Sequence, residues 1–222
     1  MAMRHCDVKL NLSADEVLTT TRAVRKRLDF DKPVPREVIE ECLQVALQAP
    51  TGSNSQGWQW MMVDDPAKKQ GLADIYKRNF SEYAKVARSN SYEPGDLRFE
   101  QRDRISSSAQ HLVDNFHQVP VIMVPCITGQ LDRVPTFAAA SAWGSILPAV
   151  WSFMLAARER GLGTAWTTIH LMYDGEREAA ELLGIPDGIT QAGLFPIAYT
   201  IGTDFKQAQR LALDPILHWN QW

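Results

Sequence analysis

Residues 19–30, TTTRAVRKRLDF, carry four cations, Arg22, Arg25, Lys26 and Arg27, before the first acid at Asp29. The chain as a whole has a net charge of −3, so this cluster runs against its background. Arg22 and Arg25 are three residues apart and would share a face if the stretch forms a helical turn. Two planar guanidinium forks converging on one spot suit a phosphate, which they can grip bidentately. A run of charges is also an ordinary solvated surface, and the residues by themselves leave both readings open.

Other chemistry is hard to find. Gly161-Leu-Gly163 lacks the third glycine of a dinucleotide fingerprint and follows a helical pattern rather than a strand. There is no phosphate loop of the G-x-x-x-x-G-K-[ST] type. Gly52-Ser-Asn-Ser-Gln56 lacks the second glycine of a nucleophile elbow. The five histidines, His5, His111, His117, His170 and His218, show no metal-ligand spacing, and the three cysteines, Cys6, Cys42 and Cys126, are far apart and odd in number. No acid, base or nucleophile constellation stands out, so we expect no catalytic side chain and no metal. In an enzyme built this way a cofactor carries the chemistry.

The elements that must position the basic cluster follow from periodicity and turn signals. Ser13-Ala-Asp-Glu16 is a capping box, predicting a helix from Ala14 that runs into the basic turn. Pro35 opens a second helix at its first position, with Val38, Ile39, Cys42, Leu43, Ala46 and Leu47 as a core face, and Pro50 closes it. Residues 50–57 form a loop of turn formers. Residues 58–63 read as a strand and 66–79 as a charged helix. Residues 80–100, with Phe80, Tyr83, Tyr92 and Phe99, read as an excursion or lid.

Residues 101–117 look helical and 119–128 form a buried strand. Residues 136–160 read as a central helix with a core stripe that includes Phe137 and Ala140, kinked at Pro148 and stopped by Gly161. Residues 164–169 and 194–201 read as strands around a short helix at 174–183, capped by Asp174 and ended by Gly184. The tail from Thr203 ends in His218-Trp-Asn-Gln-Trp222, aromatics that imply packing on something such as another subunit. Four strands among helices indicate an α+β or α/β fold. The 222 residues, 45% hydrophobic and 22% charged, fit a single domain. Net charge argues against nucleic acid. No signal peptide and no uncharged apolar run of spanning length are expected, which points to a cytoplasmic protein that neither spans nor enters a membrane.

Three blocks, in order, resemble the FMN-dependent nitroreductase family. Arg22-Ala-Val-Arg25 is similar to the family's R-S-x-R. The run APTGSNSQGW at 49–58 is similar to A-P-S-x-x-N-x-Q-P-W. The run AARERGLGTAWTT at 156–168 is similar to its A-A-x-x-x-G-L-G strand entry. Leu183-Gly-Ile-Pro186 matches the family's LGIP, and the GLGTAWTT block and H-W-N tail look like the mycobacterial-type NAD(P)H nitroreductases. Thr21, Ala23 and Gly57 depart from the pattern, where many members have arginine, serine and proline.

The resemblance implies an α+β sandwich with a mixed, mainly antiparallel sheet, assembled as an intertwined homodimer with the tail 203–222 on the partner. Arg22, Ala23 and Arg25 would hold the FMN phosphate and ribityl end, with Arg210 returning to the phosphate. Pro50, Thr51, Gly52 and Asn54 would come from the partner subunit. Thr168, Ile169 and His170 would lie along the flavin ring; some members have Glu at the last of these. NADH or NADPH would reduce the flavin, and a small electron-poor acceptor, a nitroaromatic or quinone, would reoxidise it by a ping-pong scheme. The alternatives in the same family are flavin storage without turnover, reductive dehalogenation and flavin fragmentation.

Overall fold

The structure, a computed structural model, describes residues 9–87 and 92–222. His5, Cys6 and residues 88–91 of the expected excursion lie outside the described residues. Helix α1, Ala14–Thr20, starts where the capping box puts it: Ser13 Oγ accepts from the Glu16 amide (3.3 Å), and Glu16 Oε2 accepts from the Ser13 amide (2.8 Å). It ends early because three threonines turn their hydroxyls back onto the backbone. Thr19, Thr20 and Thr21 donate to the Asp15, Glu16 and Val17 carbonyls at 2.6, 2.6 and 2.7 Å. Thr21 is extended.

Arg22 and Arg25 therefore do not share a helical turn, a correction to the sequence reading. They lie on an extended segment, because the Val24 amide donates to the Thr164 carbonyl (2.8 Å) and Ala23 bridges Thr164 in parallel. Val24 is buried beneath them.

A short strand β1, Leu28–Asp29, leads into α2, Arg36–Ala46, whose Val38, Ile39, Cys42 and Ala46 are buried. Pro35 stands one residue before the helix, as its N-cap, and Leu47 is exposed at the C-cap instead of joining the core. Strand β2 is Trp58–Val63. The expected excursion is mostly helix: α3 runs over Pro66–Ala87 and α4 over Leu97–Asn115, started by Asp96, whose carboxylate accepts from the Arg98 amide (2.7 Å). Of the residues expected in the excursion, 80–87 and 97–100 are helical, and 92–96 form the turn that leads into α4.

Strand β3, Val121–Thr128, is the middle of the sheet, followed by α5, Thr136–Glu159; β4, Leu162–Thr164; α6, Gly175–Leu183; β5, Ile189–Gln191; and β6, Phe195–Thr200. The sheet order is β1-β6-β3-β2, with β4 on β6 and β5 on β3, and every strand pairing is antiparallel. Residues on β3 alternate between two cores. Ile122, Val124 and Cys126 face α3, α4 and α6, while Val121, Met123 and Ile127 face α2 and α5. This is an α+β sandwich with helices on both faces of the sheet.

The third predicted strand is shifted. Gly161, left-handed at φ 71°, turns the chain directly into β4, and the backbone leaves the sheet after Thr164, keeping one bridge from Thr167 to Leu194. Helix α5 runs through Pro148 to Glu159, although proline withdraws one donor from its ladder. Phe137 and Ala140 are exposed rather than core. By length and composition alone α5 could cross a membrane, which corrects the count made on sequence. Here the stretch from Ser145 to Arg158 supplies much of the core on the α2 side of the sheet.

Gly163 lets the arginine-bearing segment lie close to β6. A Cβ there would stand 2.7 Å from Thr200 Cγ2 and 3.0 Å from Val24 Cβ and Leu28 Cδ2. Gly163→Ala should destabilise the fold by roughly 1–3 kcal/mol, the usual range for overpacking. A urea unfolding midpoint equal to wild type would show that the segment has room to move.

Candidate active site

Helix α5 ends at the basic segment with a buried cation of its own. Arg158 donates from Nε to Thr20 Oγ1 (3.2 Å) and from Nη2 to the Thr203 carbonyl (3.0 Å). Arg27 pairs with Asp204 (2.7 Å), and both Arg27 and Arg158 stack on Phe205, at 4.2 and 4.9 Å from the ring centre. These contacts anchor the start of the tail beside Arg22.

The charge at this place is not balanced. Arg22 has Nε and Nη2 buried without any acceptor, and Arg158 has a buried, unpartnered Nη1. Burial pulls the Arg22 pKa down, and the charges of Arg210 and Arg104 push it the same way. Arg158 is lowered by burial and by Arg27 and Arg22, against the pull of Glu159. That carboxylate is spent on the Asn11 and Leu12 amides, at 2.8 and 3.1 Å. Among the described residues, Arg22, Arg25, Arg104, Arg158 and Arg210 are the arginines with no carboxylate in ion-pair range. Leaving buried donors unmet is costly, so the arrangement calls for an anion with several acceptor oxygens.

The neighbouring stretch is built from α3 and the loop after β4. Tyr76, buried on α3, bonds the Thr167 side chain and stands near enough to Arg25 to feel its charge. Thr168 is exposed, and Ile169–Leu171 form a short 3-10 turn. Asn79 fixes that turn: its buried Nδ2 donates to the Ile169, His170 and Met172 carbonyls at 3.2, 3.2 and 2.9 Å.

His170 turns its side chain into the core. It is fully buried, with Nε2 3.3 Å from Gln191 Oε1 and Nδ1 unpartnered. The turn thus offers Thr168 and backbone outward, not the imidazole. A cavity of about 340 Å³ opens on this side of α3, lined by Arg78, Asn79, Glu82, Tyr173, Asp174 and Glu178. Arg78 already pairs there with Glu178 (2.8 Å), so this cavity lacks the unmet charge of the arginine cluster.

The loop with Pro50, Thr51, Gly52 and Asn54 sits elsewhere. The Gly52 amide donates to Ser145 Oγ (3.0 Å), and Trp58 Nε1 donates to the Ser145 carbonyl (3.0 Å). Ser53, Asn54 and Gln56 all have left-handed backbones, with φ of 52°, 53° and 49°, a concentration of strain that sites often carry. From Ser145 to Arg158 is about 20 Å along α5 at the helical rise. One chain therefore does not bring this loop to the arginines.

The family model of the Nitroreductase family matches residues 18–199, a span that includes the arginine segment, the strained loop and the turn at Thr168. The chain belongs to the Nitroreductase family. It is 26% identical over 195 residues to a 4-nitrobenzoate reductase of Nocardioides sp., covering 78% of this chain and 74% of that one. It is 25% identical over 183 residues to an iodotyrosine deiodinase of Thermotoga neapolitana, covering 82% and 86%. Its fold matches the FMN and NADPH-dependent nitroreductase NfnB of Sphigopyxis sp. strain HMH with a TM-score of 0.67 at 20% identity, over 95% of this chain and 100% of that chain.

Within this Nitroreductase-family fold the structure brings Arg22, Ala23, Arg25 and Arg210 to one edge with Thr168 and the Ile169–His170 backbone nearby, and leaves the Pro50–Asn54 residues apart. Arg158 and Arg104 were missed on sequence. Arg158 could have been found, because it falls four residues after Met154 on the stripe that α5 buries. Arg104 gives no such signal in the charged run LRFEQRDR. Among the described residues no group of three or more His, Cys, Asp and Glu could hold a metal ion.

The His170 environment predicts a pH effect. Burial lowers its pKa to about 4, against a hydrogen bond from the ring Nε2 to Gln191 Oε1 that raises it. The unfolded chain takes up the proton near the ordinary value of about 6.5, the folded chain only near 4. Above that window the group is neutral in both states and adds no pH dependence. As pH falls from 6.5 through 4 the unfolded state binds more protons and stability is lost, by roughly 3 kcal/mol. The stability of wild type relative to His170→Gln should fall by that order between pH 6.5 and 4. Parallel pH profiles for the two proteins would contradict a neutral, buried imidazole.

Proposed function

We propose that this chain is an FMN-dependent oxidoreductase that takes reducing equivalents from NADH or NADPH and passes them to an electron-poor small molecule such as a nitroaromatic or a quinone. The observation that carries this reading is the half-buried Arg22 guanidinium, with two enclosed and unmet donors among arginines that have no described carboxylate. The donor set fits a phosphomonoester, and a Nitroreductase-family chain whose fold neighbours include an FMN-dependent enzyme makes FMN the natural candidate.

Arg22, Arg25 and Arg210 would hold the phosphate, with the Ala23 backbone beside it. Thr168 and the backbone of Ile169 and His170 would line the ring. When bound, FMN supplies the hydride-accepting and electron-donating chemistry. The chain's own part is to bind, orient and shield, and no carboxylate or histidine of the site is needed as an acid or base. Donor and acceptor would take turns at one face, since there is no second dinucleotide-binding unit in the sequence.

We also read the protein as a homodimer. The Pro50–Asn54 loop would reach the flavin of a second copy, because within one chain it lies too far along α5. Phe137 on α5 and Leu213, Ile216, Trp219 and Trp222 of the tail are largely exposed, 78% and 62%, 69%, 78% and 100%. Apolar area of that kind fits an obligate interface. The described cysteines, Cys42 and Cys126, are free and buried, in keeping with a reducing, cytoplasmic setting.

The test is anaerobic mixing of the purified protein with NADH or NADPH. The protein should be yellow with FMN, the flavin absorbance should bleach, and a nitrobenzoate or quinone should restore it. Parallel double-reciprocal lines should accompany turnover; intersecting lines would require two separate substrate sites. A protein that stays colourless in excess FMN would overturn the proposal. Arg22→Ala should weaken FMN binding about ten- to a hundred-fold, the worth of a hydrogen bond to a charged partner. It should leave the flavin-free protein no less stable, because it removes a buried, unpaired charge. Arg36→Ala, which only breaks an exposed pair with Asp64, should leave FMN affinity unchanged.

A further inference from the structure

The basic cluster is larger than the matched motifs account for. A phosphomonoester brings about two negative charges at neutral pH. Arg22, Arg25, Arg104, Arg158 and Arg210 each bring a positive one, and no described carboxylate pairs with them. Arg104 differs from the rest in origin, since it alone comes from α4.

Helix α4 lies along residues 22–30 by one face. Arg104, Ser107 and His111 follow one another at spacings of three and four, so they line up on that face. Ser107 Oγ accepts from Lys26 Nζ at 2.7 Å. His111 stacks on Phe30, with ring centres 6.3 Å apart and planes 17° from parallel. One turn earlier on the helix, Arg104 comes near Arg22, like charge against like charge. The helix is thus held to the segment at Lys26 and Phe30 and repelled at Arg22.

Among the described residues no carboxylate answers Arg104. Its helix neighbours Arg98 and Arg102 have Asp96 and Asp103, at 2.7 and 3.7 Å. Arg104 has no such partner among the described residues and is exposed. Gln101, three residues before it on the same side of the helix, has a buried Nε2 with no acceptor. An anion shared by Arg22 and Arg104 would turn the one repulsive contact on this face into an attractive one.

We infer that Arg104 is a ligand of the phosphate at the proposed FMN site, and that α4 tightens onto residues 22–30 when that phosphate is bound and loosens when it is absent. This rests on the FMN reading above and adds to it a residue outside the matched motifs and a coupling between cofactor occupancy and a whole helix. No bond is made or broken; the effect is one of charge and docking.

Riboflavin, the same ring system without the phosphate, separates this from a merely structural role. Flavin-stripped wild type, Arg104→Ala and Arg102→Ala would each be titrated with FMN and with riboflavin by fluorescence quenching. Arg104→Ala should weaken FMN about ten-fold and leave riboflavin unchanged, and Arg102→Ala should change neither. In hydrogen exchange, FMN should slow the amides of residues 97–115 in wild type, riboflavin should not, and Arg104→Ala should lose the FMN effect.

Unchanged FMN affinity in Arg104→Ala, or equal losses for FMN and riboflavin, would overturn the inference. If Arg22→Ala weakens FMN while Arg104→Ala does not, this inference alone falls. If unaltered protein binds neither flavin, the proposed site falls with it.

Discussion

A single backbone contact governs the site: the Val24 amide donating to the Thr164 carbonyl at 2.8 Å. It holds residues 22–25 extended against β4, over a glycine that leaves room for nothing larger. With Val24 pinned inward, Arg22 has no free path to solvent for its whole fork, and two of its nitrogens end up enclosed. The fold then places Arg158 and Arg210 around it and spends the nearest acid on the N-terminal segment. A protein gains no stability from such an arrangement by itself, since a buried unpaired charge costs several kcal/mol. It gains when an anion arrives, and the gain grows with ligand concentration over its dissociation constant. Folding energy and binding energy are stored in the same few guanidiniums.

What could be read from the sequence depended on whether the signal was local. The capping box at Ser13, the buried stripe of α2, the uniformly apolar β3 and the left-handed stop at Gly184 are each set by residues within one or two turns, and each stands where periodicity or turn chemistry puts it. Strands β1 and β5 have two and three residues and exist only because β6 and β3 offer them partners. No pattern that short distinguishes strand from loop. At the two ends of the stretch 80–100 the difficulty was the opposite one: the charges at Glu82, Lys85 and Arg98 suit an exposed helix face as well as a loop, and burial of Phe80 against Tyr76 shows that α3 continues there.

The site divides along the same line. Arg22 and Arg25 stood out through the first block and Arg210 only through the family resemblance, and their geometry was not legible. Spacing suggested a shared helical face, whereas the threonine-rich end of α1 stops the helix before Arg22. His170 entered only through the family resemblance, and its side chain direction depends on Gln191 and Glu176, which lie on other elements. Arg104 was invisible, because only the docking of α4 through Lys26 and Phe30 carries it to the cluster.

Helix α5 explains why one chain looks incomplete. Its far end contributes Arg158 to the charged edge, and its first half, at Ser141 and Ser145, carries the strained loop. The helix is continuous through Pro148 and keeps those two ends apart. The loop's three left-handed residues, held by Thr51 and Asn54 side chains acting on Gln56, have no contact with the arginines to explain their strain. The exposed residues around the start of α5, Phe137 and Ala140 among them, are apolar where a lone helix would be polar. A second copy packed on that face would satisfy both facts at once: it would bury the apolar surface and give the loop something to close on. The rigidity of α5 would then be what sets the distance between a charged anchor on one subunit and a shaped loop on the other.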